Sequence, residues 1–165
     1  MRANETSREN KKILVLGLGN IFCGDDGIGS IIAENLGKDI DEQKIDIIDG
    51  GTIGLGLMYL FEDYTDLIII DAVDMKARPG EVLVFSLDDL SMFDNEQKIS
   101  FHQSGLYELL RFAKALGKLP PRIMIFGIQI GETSFENGLS EQLQSELVKI
   151  EEKIKEEIYR YLKNA

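Results

Sequence analysis

The chain has 165 residues, 44% of them hydrophobic, and a formal net charge of −11. That length suits one full hydrophobic core better than two, and the apolar fraction argues against a wholly disordered chain. The acidic balance argues against non-specific nucleic-acid binding and against docking on anionic membranes, since both need Lys and Arg facing phosphate.

Met1 to Asn10 read as a disordered tail. Lys12 to Gly17 is an apolar run suited to a strand buried on both faces, followed by a loop rich in Gly and Asp from Leu18 to Gly27. Ile28, Ile31, Ile32 and Leu36 then recur at helical spacing, with Gly37 as the expected stop. Ile45 to Asp49 predicts a second strand ended by Gly50-Gly51-Thr52, and Leu55 to Phe61 a short helix. Leu67 to Val73 is the clearest strand, and Arg78-Pro79-Gly80 is a turn signal before a fourth strand from Glu81 to Phe85. Ser86 to Ile99 is polar and unpatterned, which predicts a loop.

Leu106, Leu109, Leu110 and Ala113 put one apolar stripe on a helix from about Gln103 to Leu116. Pro120-Pro121 separates it from a fifth strand, Arg122 to Ile128, and a long amphipathic helix closes the chain from about Ser140 to Leu162. Alternating strands and helices predict an α/β fold of three layers, a mostly parallel sheet between helices. There is no internal repeat, so residues 1–165 are expected to form one domain. Sites in such sheets form beyond the carboxyl ends of the strands.

Cys23 is the only cysteine, which rules out an internal disulfide and a multi-thiolate zinc site. The first residues are polar, without an apolar signal core, and no apolar run approaches the length of a membrane span. These features predict the reducing cytoplasm.

Gly17-Leu18-Gly19 after the first strand invites a dinucleotide reading, that of an oxidoreductase with Asp49 on a ribose. The third glycine of that fingerprint is replaced by Phe22, and Asp25-Asp26 would repel a pyrophosphate.

Three other residues form a candidate site. Asp26 stands at the start of the first helix, where it or Asp25 could equally be an N-cap. Asp71 lies in the apolar run of the third strand, where a lone buried carboxylate costs several kcal/mol unless paired or coordinated. His102 is the only histidine, and Ser100-Phe101-His102-Gln103 also reads as a capping box that would put it in a helix's first turn. Two carboxylates and an imidazole suit nickel, zinc or manganese, and three ligands with an open position suit a working site. Periodicity does not place His102 beside the aspartates.

At these residues the chain resembles the hydrogenase maturation endopeptidases, from about Lys12 to the last helix. The carrying segments are Ile13 to Gly29, Asp49-Gly50-Gly51-Thr52, Leu67 to Val73 and Lys98 to Leu106. The resemblance implies a twisted five-stranded sheet between helices. It also implies a peptidase that trims the C-terminal extension of a nickel–iron hydrogenase large-subunit precursor after nickel insertion. It places the metal ligands on Asp26, Asp71 and His102. Two mechanisms are open on that ligand set: the metal orients the scissile peptide and polarises its carbonyl or a water, or Asp26 or Asp71 instead acts as general base. The nickel would arrive with the precursor, and no stored cofactor is expected. Ile130 stands where the family pattern has proline. Two rival readings remain at this stage: a Cys23–His102 nucleophile pair, and a nickel-sensing assembly module that binds the precursor without cutting it.

Overall fold

In a computed structural model of the chain, residues 12–90, 105–131 and 138–164 are described. The tail expected over Met1–Asn10, the capping box at Ser100–Gln103 and His102 itself lie outside them.

The apolar runs form the strands they predict: β1 Ile13–Leu18, β2 Ile45–Gly51, β3 Asp66–Val73, β4 Val82–Phe85 and β5 Arg122–Gln129. They make one five-stranded sheet in the order β2-β1-β3-β5-β4. All pairings are parallel except that of β4 with β5, which is antiparallel. β1 and β3 are buried along their whole length, because each is central and covered on both faces.

Alternate residues of the strands feed two separate cores. Ile13, Val15, Ile68 and Ile70 pack with helices α1, Ile28–Asp39, and α3, Glu141–Asn164, through Ile32, Leu36, Ile150 and Ile154. Leu14, Leu16, Leu67 and Ile69 pack with Leu57 and Phe61 of a 3-10 helix, Gly54–Asp63, and with Leu106, Leu109 and Leu110 of helix α2, Leu106–Ala115. The expected layering therefore holds, with α1 and α3 on one face and α2 on the other.

The structure corrects several boundaries. Gly37 does not stop α1, which runs on to Asp39 and ends with the Ile40 N–H donating to the Leu36 carbonyl at 2.8 Å. Helix α2 begins at Leu106 rather than near Gln103, because Gly105 before it is left-handed at φ 65°. Residues 87–90, expected as loop, are helical. Ser86 and Asp89 cap that turn reciprocally: the Ser86 N–H donates to Asp89 Oδ2 at 2.7 Å and the Asp89 N–H to Ser86 Oγ at 3.2 Å.

At the amino edge of the sheet, Asp66 is fully buried. It accepts two hydrogen bonds from Arg122, at 2.6 and 2.8 Å, one from Thr65 Oγ1 at 2.6 Å and one from the Tyr161 hydroxyl. Asp66 and Arg122 are register partners at the first positions of β3 and β5, so one ion pair fixes the start of both strands and the end of α3. This cluster lies at the opposite edge from the candidate site.

Candidate functional site

The carboxyl ends of β1 and β3 carry the site. After β1 the chain turns through a 3-10 segment, Gly24–Gly27, directly into α1. The turn is drawn tightly against the sheet by glycines. A Cβ on Gly19, which has φ 137°, would stand 2.0 Å from the Asp26 carbonyl oxygen. A Cβ on Gly29 would stand 2.3 Å from the carbonyl oxygens of both Leu18 and Ile70. Ile70 is the residue before Asp71, and Gly29 follows Asp26 by less than one helical turn, so this contact brings the two aspartates to the same edge.

Both side chains are buried, Asp26 at 2% exposure and Asp71 at 0%. Each is oriented by the backbone. Asp26 Oδ2 accepts the Asn20 N–H at 3.0 Å, and Asp71 Oδ1 accepts the Ala72 N–H at 2.8 Å. The second oxygens, Asp26 Oδ1 and Asp71 Oδ2, are shielded from solvent. Main-chain bonds help to place both carboxylates, which suits a site that must hold a fixed geometry.

Asp25, the neighbour that the sequence could not distinguish from Asp26, has a different task. It is fully buried and accepts three hydrogen bonds, from the Gly131 N–H at 3.0 Å, the Ser140 N–H at 2.7 Å and the Ser140 hydroxyl at 3.0 Å. Ser140 in turn caps α3, its Oγ accepting the Leu143 N–H at 3.3 Å. Asp25 is therefore a structural strap. Neither aspartate is the side-chain N-cap of α1, where no such bond forms.

Asp49 is exposed, and its Oδ1 accepts the Gly51 N–H at 2.9 Å within the last residues of β2. Gly17 and Gly19 serve helix–strand packing, and Phe22 is exposed where the nucleotide fingerprint wants glycine. The Asn20 amide, which a phosphate would need, is taken by Asp26. The loop is thus built against a dinucleotide. Cys23 is a free, half-buried thiol whose backbone joins the same turn: its N–H donates to the Asn20 carbonyl at 3.0 Å.

Sequence reasoning missed Gln129. Its buried side chain clamps the turn that follows β3, Oε1 accepting the Met75 and Ala77 N–H groups at 2.7 and 3.2 Å. Between them Lys76 holds a left-handed backbone at φ 59°, a strained conformation for a lysine. An amide side chain at the end of a strand beside an Asp-rich turn is the signal that could have pointed to it. At Ile130, where the family pattern has proline, the N–H donates to the Val73 carbonyl at 3.1 Å, a bond proline lacks.

Among the described residues, no group of three or more His, Cys, Asp or Glu side chains is placed to hold a metal ion. His102, the expected third ligand, is outside them. The structure thus places Asp26 and Asp71 at one sheet edge, while Asp25 bonds Gly131 and Ser140 and Asp49 bonds Gly51.

Comparison with known proteins bears on this architecture. The pattern of the hydrogenase maturation protease family matches residues 31–157. The hydrogenase expression/formation protein HupD of Bradyrhizobium diazoefficiens is 35% identical over 125 residues, covering 75% of this chain and 65% of that one. The hydrogenase 2 maturation protease of Escherichia coli is 37% identical over 120 residues, covering 71% and 72%. The chain spans between 57% and 65% of the length of four HupD relatives. Among solved structures, the hydrogenase maturating endopeptidase HybD from E. coli superposes with a TM-score of 0.73 at 30% identity, covering 87% of this chain and 89% of that one. The chain belongs to the hydrogenase maturation protease family.

Proposed function

We propose that the protein is an endopeptidase that removes the C-terminal extension of a nickel–iron hydrogenase large-subunit precursor once nickel is in place. Asp26, Asp71 and His102 read that nickel. The observation that carries this reading is the burial of two backbone-anchored carboxylates at one sheet edge. Burying two carboxylates at one sheet edge is costly, and a divalent cation arriving with the substrate would offset part of that cost.

His102 fits as the third ligand on topological grounds. Helix α2 packs on the same face as the side of β3 that carries Leu67, Ile69 and Asp71, and it ends shortly before the start of β5 at the amino edge. Its first residue therefore belongs at the carboxyl edge. His102 precedes Gly105 by three residues, which limits its distance from that point to about 11 Å in any conformation.

Capture of the precursor's nickel would fix the scissile peptide against the enzyme. One of the two carboxylates, Asp26 or Asp71, takes a proton from the attacking water as the carbonyl carbon is hydrated. The same proton is then delivered to the leaving amine as the C–N bond breaks. Differential affinity for the loaded precursor makes nickel insertion the checkpoint. The chain works as one domain in the cytoplasm, where the Cys23 thiol stays reduced.

The test is to incubate the protein with nickel-loaded and nickel-free precursor and follow intact mass. Loss of a C-terminal fragment only with nickel is expected, together with at least a ~100-fold loss of rate in Asp71→Asn. Cutting that ignores nickel refutes the checkpoint. Nickel-dependent binding without any cutting identifies an assembly module instead.

A further inference from the structure

The loops that flank the aspartates carry large apolar side chains facing water. Ile21 and Phe22 are 45% and 65% exposed, and Ile53 and Leu55 are 66% and 41% exposed. The first pair follows β1 and the second follows β2, which are adjacent parallel strands, so both loops rise from neighbouring points of the carboxyl edge. The Gly19 N–H donates to the Gly51 carbonyl at 3.1 Å and joins them.

These side chains stand on a fixed frame. The Phe22 N–H donates to Asn20 Oδ1 at 3.0 Å, and the Asn20 N–H donates to Asp26. The Ile53 N–H donates to the Gly50 carbonyl at 3.1 Å. A Cβ on Gly27 would come within 2.6 Å of the Ile21 Cα, so the loop is seated directly on the turn that holds Asp26. The apolar residues are thus displayed by backbone bonds at a set distance from the carboxylate.

Charge points to what covers them. Residues 17–24 and 50–60 contain no Asp, Glu, Lys or Arg, in a chain whose charged fraction is 28% and whose net charge is −11. An uncharged apolar rim seated on the turn that holds Asp26 selects an uncharged apolar surface on the partner, while the acidity of the chain rejects acidic ones.

We infer that Ile21, Phe22, Ile53 and Leu55 form a docking rim that grips an apolar, uncharged segment of the precursor next to its metal. The rim supplies affinity that does not depend on nickel, and Asp26 and Asp71 supply the part that does. This rests on the proposed function for the identity of the occupant.

The experiment compares the wild-type protein with the double variant Phe22→Ser/Ile53→Ser on the nickel-loaded precursor. Two quantities are read: equilibrium binding to the immobilised precursor, and the enzyme concentration giving half-maximal single-turnover cutting. Both weaken about tenfold or more in the double variant, while the maximal cutting rate stays within about twofold. Phe22→Leu/Ile53→Leu retains most of the affinity. Val148→Ser, which alters an equally exposed side chain on α3, changes neither quantity. Unchanged binding in the serine variant overturns the rim, as does a fall in maximal rate with binding intact. If the wild-type protein binds the precursor and never cuts it, the endopeptidase reading fails, and the binding comparison still decides the rim.

Discussion

Asp25 and Asp26 are adjacent, both acidic and both buried, yet Asp25 holds three hydrogen bonds across the fold while Asp26 is proposed to act on the substrate, and stability measurements should separate them. Replacing Asp25 with Ala leaves two backbone N–H groups and one hydroxyl without their acceptor. A hydrogen bond to a charged group contributes about 1.5–3 kcal/mol, but relief of carboxylate burial and entry of water offset part of three such bonds, leaving a cost of about 4 kcal/mol. For a domain of this size that lowers Tm by roughly 8–15 °C. Asp26→Asn keeps an oxygen for the Asn20 N–H, so it costs less than Asp25→Ala while precursor cutting falls by ~100-fold or more. Urea titrations followed by circular dichroism give both free energies at constant slope. The assignment is refuted if Asp26→Asn destabilises as much as Asp25→Ala, or if Asp25→Ala melts with the wild type.

Three further outcomes follow from other parts of the molecule. Burial, reinforced by hydrogen bonds to Asp46 and Asp66 respectively, pushes Tyr64 and Tyr161 up to about 12 from the ordinary 10.0. The neutral phenols favour the native state, so their stabilisation is whole below pH 10 and is lost as pH rises from 10 to 12. Absorbance at about 295 nm should show two late-titrating tyrosines, one of which disappears in each of Tyr64→Phe and Tyr161→Phe. Gly29→Ala, ordinarily a gain of about 0.5–1 kcal/mol within a helix, should instead cost about 3 kcal/mol by thermal melting, because the new methyl meets two backbone carbonyls. Cys23→Ala should keep nickel-dependent cutting within about threefold of the wild type, since a lone half-buried thiol acts here as packing; abolished cutting would restore the thiol nucleophile.

The sheet was legible because its strands are apolar runs bounded by turn residues, and that signal is local. The two-sided burial of β1 and β3 is written in their runs of Ile, Leu and Val, Ile13 to Leu16 and Leu67 to Ile70. The choice between Asp25 and Asp26 was not legible, because it is made by donors more than 100 positions away at Gly131 and Ser140. Asp66 escaped notice for the same reason: its partners, Arg122 and Tyr161, meet it only once β5 and α3 are in place. The helical turn after β4 could have been read from Ser86 and Asp89, a capping pair at the correct spacing that the polar surroundings obscured. Gly37 misled because glycine lowers helix propensity without forbidding a helix whose apolar face is already committed through Leu36 and Ile40.

The Asp25 strap also bears on how such a protein can diversify. It grips Gly131 and Ser140, so both ends of the intervening chain are moored at a single carboxylate. Once the moorings are fixed, doubling the length between them costs only about 0.6 kcal/mol in closure entropy. Length can therefore vary between the two moorings at little cost to the strap itself.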